Sequence, residues 1–370
     1  MKLYLIAGEA SGDLHGANLV KALRQLQPSV QCRVWGGELM QEAGGQLVKH
    51  YRDLAFMGFW EVFTNLRTIL NNLRFCKSDI LEFKPDALVL IDYPGFNLRI
   101  AKWAKRQGIR VIYYISPQIW AWHTSRVHAI KRDVHKMLVI LPFEAEFYQK
   151  YNMPVTFVGH PLLDVIAGYT APSNTADQPP SRVIALLPGS RKQELKRILP
   201  VMLAITQDFP QYRFVVAGAP SLPEAVYREY MRDYPAVELE FGKTYTLLAQ
   251  SAAALVKSGT STLETALVGT PQVVCYAGNP LSFAIAKRVV NVPYISLVNL
   301  ILDRLLVREL IQDALNPAKL REALLEVLEP KHVAELKKGY AELRRRLGDG
   351  GASQRAAQAI LEQVLSKNRG

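Results

Sequence analysis

The five residues Ser258-Gly-Thr-Ser-Thr262 follow a short apolar run, Ala252–Val256. They precede Leu263, Ala266 and Leu267 at helical spacing, and Gly269-Thr-Pro271 then ends the run. The apolar run has the length of a buried strand, Gly259 allows a sharp turn, and the Gly-Pro pair closes a helix. Strand, small-residue turn and helix start together aim unpaired N–H groups and a positive dipole end at one point, which is a seat for an anion. Glu264, one turn into that helix, is placed to accept both hydroxyls of a ribose while the turn holds phosphates. An ordinary strand-to-helix capping turn accounts for the same residues, and this stretch alone leaves both readings open.

Three other strand ends carry comparable chemistry. Leu187-Pro-Gly-Ser-Arg191 offers a tight turn at Gly189 and Ser190, with Arg191 able to grip a phosphate bidentately and Lys192 and Lys196 close by. Gly8-Glu-Ala-Ser-Gly-Asp13 has the position of a Rossmann glycine turn but not the GxGxxG spacing, and it puts two acids where a pyrophosphate would sit. A helix N-cap at Ser11 or Asp13 explains Asp13; it does not explain Glu9, which precedes the cap at a strand tip. Asp92, in Ile91-Asp-Tyr-Pro-Gly-Phe96, ends another strand and is a candidate general base if apolar neighbours raise its pKa. A turn-initiating Asp before Pro94-Gly95 is the competing reading.

The elements that hold these turns alternate between strand-like and helical patterns, the signature of a parallel α/β architecture. Strands are expected at Lys2–Ala7, Cys32–Trp35, Ala87–Ile91, Val111–Ile115, Lys136–Leu141 and Val155–Val158, with a first helix at Leu14–Leu26. Gly168–Ser181 has no apolar period and three prolines, so it reads as a linker. The pattern restarts with Arg182–Leu187, Arg213–Ala217, Val237–Phe241, Ala252–Val256 and Gln272–Tyr276, and a last helix is expected near Ala352–Leu365 after the Gly348–Gly351 break. With 370 residues, two doubly wound domains are expected, with ligands in a cleft where the carboxyl ends of both sheets meet.

A formal charge of +12 favours acidic partners. Cys32, Cys76 and Cys275 lie far apart without a CxxC pair, which argues against a disulfide framework or zinc site and fits a reducing compartment. The amino terminus meets charge too early for a signal peptide, and the uncharged window Thr265–Ala286 is interrupted by Gly and Pro, so no transmembrane helix is expected. Apolar residues between Phe56 and Phe83, among them Phe56, Met57, Phe59, Trp60 and Phe63, cover more than one helix face. Either they form a deeply buried helix, or they make a flap for an acyl chain or bilayer surface. From Tyr93 to Arg132 there is no acid but there are eight basic residues interleaved with Trp103, Trp120 and Trp122. That is either a solvated basic face or an attachment to anionic lipid; no RNA- or DNA-binding motif accompanies it. Ser282–Leu310 is a second candidate for contact with an amphiphile.

Taken together the motifs resemble the lipid A disaccharide synthases, glycosyltransferases of the GT-B fold. The matching pieces are GEASGD (Gly8–Asp13), Met57–Val62, Ile91–Asn97, Ser116–Trp122, LPFE (Leu141–Glu144), Phe157–Pro161, LLPGSR (Leu186–Arg191), Ser258–Glu264, Ser296–Leu300 and Ala356–Ala359. They span the chain in order. The chain departs from the family's DAPDFN at Asp92–Asn97, and His123 follows the WAW segment.

The resemblance implies transfer of 2,3-diacylglucosamine from UDP to 2,3-diacylglucosamine 1-phosphate, giving a β-1,6 disaccharide and UDP. It puts UDP on Gly189, Ser190, Arg191, Ser258, Gly259, Thr260, Ser261 and Thr262, with Glu264 on the ribose and no metal or cofactor. Asp92 or Glu9 would act as base, and Ser11, Gly12, Phe56, Met57, Phe59, Trp60, Phe63 and Asn299 would meet the lipid acceptor. The implied domains are 1–167 for the acceptor and membrane, a linker at 168–181, 182–347 for the donor, and 348–370 packing back on an amino-terminal domain, its own or a partner's. The implied location is the cytoplasmic face of the inner membrane, held peripherally by anionic lipid, and a homodimer is left open. Rivals are another GT-B enzyme such as a UDP-sugar epimerase, or a non-catalytic membrane-associated nucleotide binder. A NAD-dependent oxidoreductase is disfavoured by the acids in GEASGD.

Overall fold

The structure is a computed structural model, and it describes residues 1–54, 66–167, 181–279, 283 and 292–366. Its contacts divide the chain into one unit of Met1–Asp164 with Asp349–Gly370, and a second of Val165–Gly348.

In the first unit, strands β1 (Lys2–Ala7), β2 (Gln31–Gly36), β3 (Gln46–His50), β4 (Ala87–Ile91), β5 (Arg110–Tyr114), β6 (Lys136–Val139) and β7 (Thr156–Phe157) form one sheet in the order β3-β2-β1-β4-β5-β6-β7. Every pairing is parallel, with Ala7 opposite Ile91 and Ile91 opposite Tyr114. All five residues of β4 are buried, as a parallel sheet covered on both faces requires. Trp35, Tyr113, Tyr148 and Ile100 belong to the core on one face.

The second unit repeats the plan with β8 (Val183–Leu187), β9 (Arg213–Gly218), β10 (Glu238–Phe241), β11 (Ala253–Lys257), β12 (Gln272–Tyr276) and β13 (Glu309–Ile311) in the order β10-β9-β8-β11-β12-β13. Its pairings are also parallel, with Leu187 opposite Val256. Two doubly wound parallel sheets are thus the architecture expected of the chain.

Several local expectations change. β3 and the three-residue β13 are edge strands with no counterpart in the sequence reading. The first helix begins at Ala10 rather than Leu14, with Glu9 at its N-cap in extended conformation and no side-chain cap. Asp13 therefore does not cap its own helix: buried, it accepts N–H bonds from Gly37 at 2.7 Å, Leu39 at 3.2 Å and Met40 at 3.1 Å, and so starts the helix Glu38–Glu42. β6 stops at Val139 because the N–H groups of Ile140 and Leu141 turn to the Glu144 carboxylate, at 3.1 and 2.9 Å.

The final helix, Ala352–Leu365, packs against the first, Ala10–Leu26, inside the first unit. Asp164 caps it, accepting from the N–H groups of Gly351, Ala352 and Ser353 and from the Ser353 hydroxyl. No helix among the described residues is long and apolar enough to cross a membrane. Phe56, Met57, Phe59, Trp60 and Phe63 lie outside the described residues, as does the linker apart from Ser181.

Candidate active site

In each sheet the strand order reverses at one place, between β1 and β4 in the first and between β8 and β11 in the second. Ligands of open α/β sheets bind beyond the carboxyl ends of the strands at this reversal. All four turns singled out from the sequence sit there.

In the first unit Glu9 follows β1 and Asp92 follows β4, each half-buried. Asp92 and Tyr93 both take left-handed backbone angles, φ +46° and +51°. This is a costly conformation for residues with side chains, and it persists where surroundings enforce it. Asn97 supplies that enforcement. Its buried side-chain amide donates to the carbonyls of Asp92 at 2.7 Å, Ile91 at 3.3 Å and Ile6 at 3.4 Å, binding both strand ends. The Tyr113 hydroxyl donates to the same Asp92 carbonyl at 2.6 Å. Burial pushes the Asp92 carboxyl up to about 7, and the Glu9 charge adds to the rise against the opposing backbone N–H of Tyr93. A carboxyl in that range is a candidate to exchange a proton near neutrality. Glu144, fully enclosed beyond β6, is likewise raised to about 7, chiefly by burial, and the Asp92 charge contributes. Ser11 is exposed on the first turn of the helix, whereas Gly12 is buried against Ala7.

The second unit carries the two candidate phosphate turns. Gly189, at φ +110°, and Gly259, at φ +154° with ψ −159°, hold backbone conformations that side chains rarely adopt. Arg191 is exposed at the N-cap of the helix Lys192–Ala204. Glu194 joins the two turns: it accepts the Ser190 N–H at 3.2 Å and pairs with Lys257, at the end of β11, at 2.8 Å. Ser258 and Thr262 point their hydroxyls inward, to the carbonyls of Ile295 at 3.0 Å and Gly259 at 2.8 Å. Thr260 and Ser261 stay accessible at the start of the helix Thr260–Val268. Glu264 accepts the Tyr245 hydroxyl at 2.8 Å, and burial raises its pKa.

Asn299, expected among the acceptor contacts, is fully buried in this unit. It donates to the Val307 carbonyl and to Glu309, both at 2.8 Å, and accepts the N–H groups of Leu306 and Val307. Glu309 in turn holds the N–H of Ile295, whose carbonyl carries Ser258, so Asn299 braces the backbone under a candidate phosphate turn. Asn97 and Glu144 lay within the recognised motifs but had no role assigned from sequence. Tyr113, Glu194 and Lys257 carried no sequence signal, because their importance comes from partners distant along the chain.

A family profile described as lipid-A-disaccharide synthetase matches residues 3–363. The lipid-A-disaccharide synthase of Syntrophus aciditrophicus is 42% identical, with 97% of each chain covered. That of Geobacter metallireducens is 38% identical over 100% of this chain and 98% of its own. Among solved structures, the UDP-GlcNAc 2-epimerase of Neisseria meningitidis bound to UDP-GlcNAc superposes with TM-score 0.67 at 15% identity, covering 98% of this chain and 100% of the other. A calicheamicin glycosyltransferase superposes with TM-score 0.61 at 17% identity, covering 100% and 99%; at such identities these two attest the GT-B type of fold alone. Full-length identity to named relatives and a profile that runs nearly from end to end place the chain in the lipid-A-disaccharide synthetase family.

Proposed function

We propose that this chain transfers a 2,3-diacylglucosamine unit from UDP to the 6-hydroxyl of 2,3-diacylglucosamine 1-phosphate, forming a β-1,6-linked disaccharide and UDP. One observation carries the assignment of parts. Both acids occupy the strand reversal of one sheet and both glycine turns occupy the strand reversal of the other. The first unit then serves the acceptor and the second the UDP donor.

Asp92 takes the proton from the acceptor hydroxyl as its oxygen forms the bond to the anomeric carbon of the donor. The bond from that carbon to UDP breaks, and the electron pair leaves with the diphosphate. Glu9 keeps the Asp92 carboxyl basic enough to accept the proton and orients the sugar. The N–H groups at Gly189–Arg191 and Gly259–Thr262, with Arg191, take up the charge on the leaving group. Glu264 receives the ribose. Phe56, Met57, Phe59, Trp60 and Phe63 shelter acyl chains, and the basic surface holds the protein at the anionic inner leaflet, peripherally and from the cytoplasmic side.

Purified protein, UDP-2,3-diacylglucosamine and the phosphorylated acceptor in detergent micelles test the reading. UDP and disaccharide should appear together and only when both substrates are present. Conversion of the UDP-sugar without acceptor would refute it in favour of an epimerase.

A further inference from the structure

The loop beyond β5 carries a cation to which the mechanism above gives no part in the reaction. Arg126 opens the helix Arg126–Asp133, is half-buried, and lies over the Trp122 ring with its guanidinium carbon 5.5 Å from the ring centre. Trp122 itself is 48% exposed. A ring face attracts the cation without taking up its N–H groups as a carboxylate would, and those groups can fork onto a phosphate.

Among the described residues no carboxylate pairs with Arg126. No acid occurs between Tyr93 and Arg132, and the acid at the end of the same helix, Asp133, is taken by Arg132 at 2.6 Å. The Ser125 side chain leaves the helix N-terminus uncapped, which adds positive potential at the same spot. The loop leaves β5 at the same end of the sheet at which Asp92 leaves β4. β5 is the neighbour of β4, and Tyr113 from β5 touches the Asp92 carbonyl. The Arg126 charge also reaches that phenol, opposing the rise in its pKa that burial causes.

We propose that Arg126, backed by Trp122, binds the phosphomonoester of the acceptor sugar while the sugar's hydroxyl lies at Asp92. This rests on the acceptor assignment above and adds to it the group that selects a phosphorylated acceptor. A bilayer phosphate is the other source of the same chemistry, and the test separates the two.

Transfer rates would be measured in neutral detergent micelles, free of anionic lipid, with the phosphorylated acceptor and with its dephosphorylated counterpart. The wild type should prefer the phosphorylated acceptor in kcat/KM. In Arg126→Gln that preference should fall by about ten- to a hundredfold, the range expected for loss of charge-assisted hydrogen bonds, and Arg126→Lys should retain part of it. The donor KM of each variant reports on folding of the second unit, and circular dichroism on the whole chain.

Equal losses on both acceptors would overturn the proposal, as would an unchanged preference or an effect seen only when anionic vesicles are added. A wild type that uses both acceptors equally would overturn it while leaving the transferase reading intact. A wild type that transfers to neither would instead refute the function itself.

Discussion

Replacing Glu9 by Gln should move the pH profile of the reaction toward acid. The Asp92 carboxyl stands at about 7 instead of 3.8, with burial the larger cause, the Glu9 charge the second, and the Tyr93 N–H pulling the other way as the smallest. An acid that titrates near 7 is about one-tenth ionised at pH 6 and about nine-tenths at pH 8, so wild-type kcat/KM for the acceptor should climb about tenfold between them and then level. Removing the Glu9 charge removes one of the two causes of the rise. Burial still exceeds the opposing hydrogen bond, so the inflection of Glu9→Gln must fall between 3.8 and about 7. The assay is initial-rate release of UDP at subsaturating acceptor from pH 5 to 8.5. A lower kcat in the variant is compatible with a second role for Glu9 on the sugar; the position of the inflection is the diagnostic quantity. An inflection that stays at 7 or moves to higher pH would refute the coupling of the two carboxyls.

Other perturbations probe the second sheet and the fold. Gly259→Ala forces a side chain into φ +154°, ψ −159°. It should destabilise the chain by roughly 1–3 kcal/mol in thermal unfolding and weaken UDP binding by calorimetry; wild-type UDP affinity would remove this turn from the donor site. His15 and His160 are buried near one another and held neutral, lowered to about 4 and about 3, mainly by burial, although Asp164 partly offsets the effect at His15. A depressed histidine stabilises the fold above its unfolded value of 6.5, and that stability drains away as pH falls through the folded value. Asp92 and Glu144, raised to about 7, act in the opposite sense over the acid range. The test is therefore a comparison: His15→Asn should show a smaller drop in melting temperature between pH 6.5 and 4 than the wild type. An equal drop would contradict the assignment.

Most strands were legible because each is a short apolar run closed by a turn; Ala87–Ile91 and Gln272–Tyr276 match their expected bounds. β3 escaped because Gln46–His50 is only partly buried and pairs irregularly at an edge, with a register shift opposite Val34 and Trp35. β13 escaped because its three residues are submerged in a longer apolar stretch. At the site, the residue types at strand tips were readable, since Glu9, Asp92, Gly189 and Gly259 announce themselves by position. What enforces their geometry was not. Asn97 reaches back 91 residues to Ile6, and Glu194, in the helix after β8, meets Lys257 at the end of β11. Asp13 looked like a local cap and serves instead a helix 25 residues further on, a choice that depends on β2 ending beside it.

Asp92 is proposed as the group that receives the acceptor's proton. Asp92→Asn keeps the shape of the turn and removes the basic oxygen, so it isolates that role. UDP affinity by calorimetry and disaccharide formation should be measured on the same preparation. UDP binding should stay close to wild type, with turnover reduced by roughly 10²–10⁴-fold or more. Turnover at the wild-type rate with UDP still bound would contradict it.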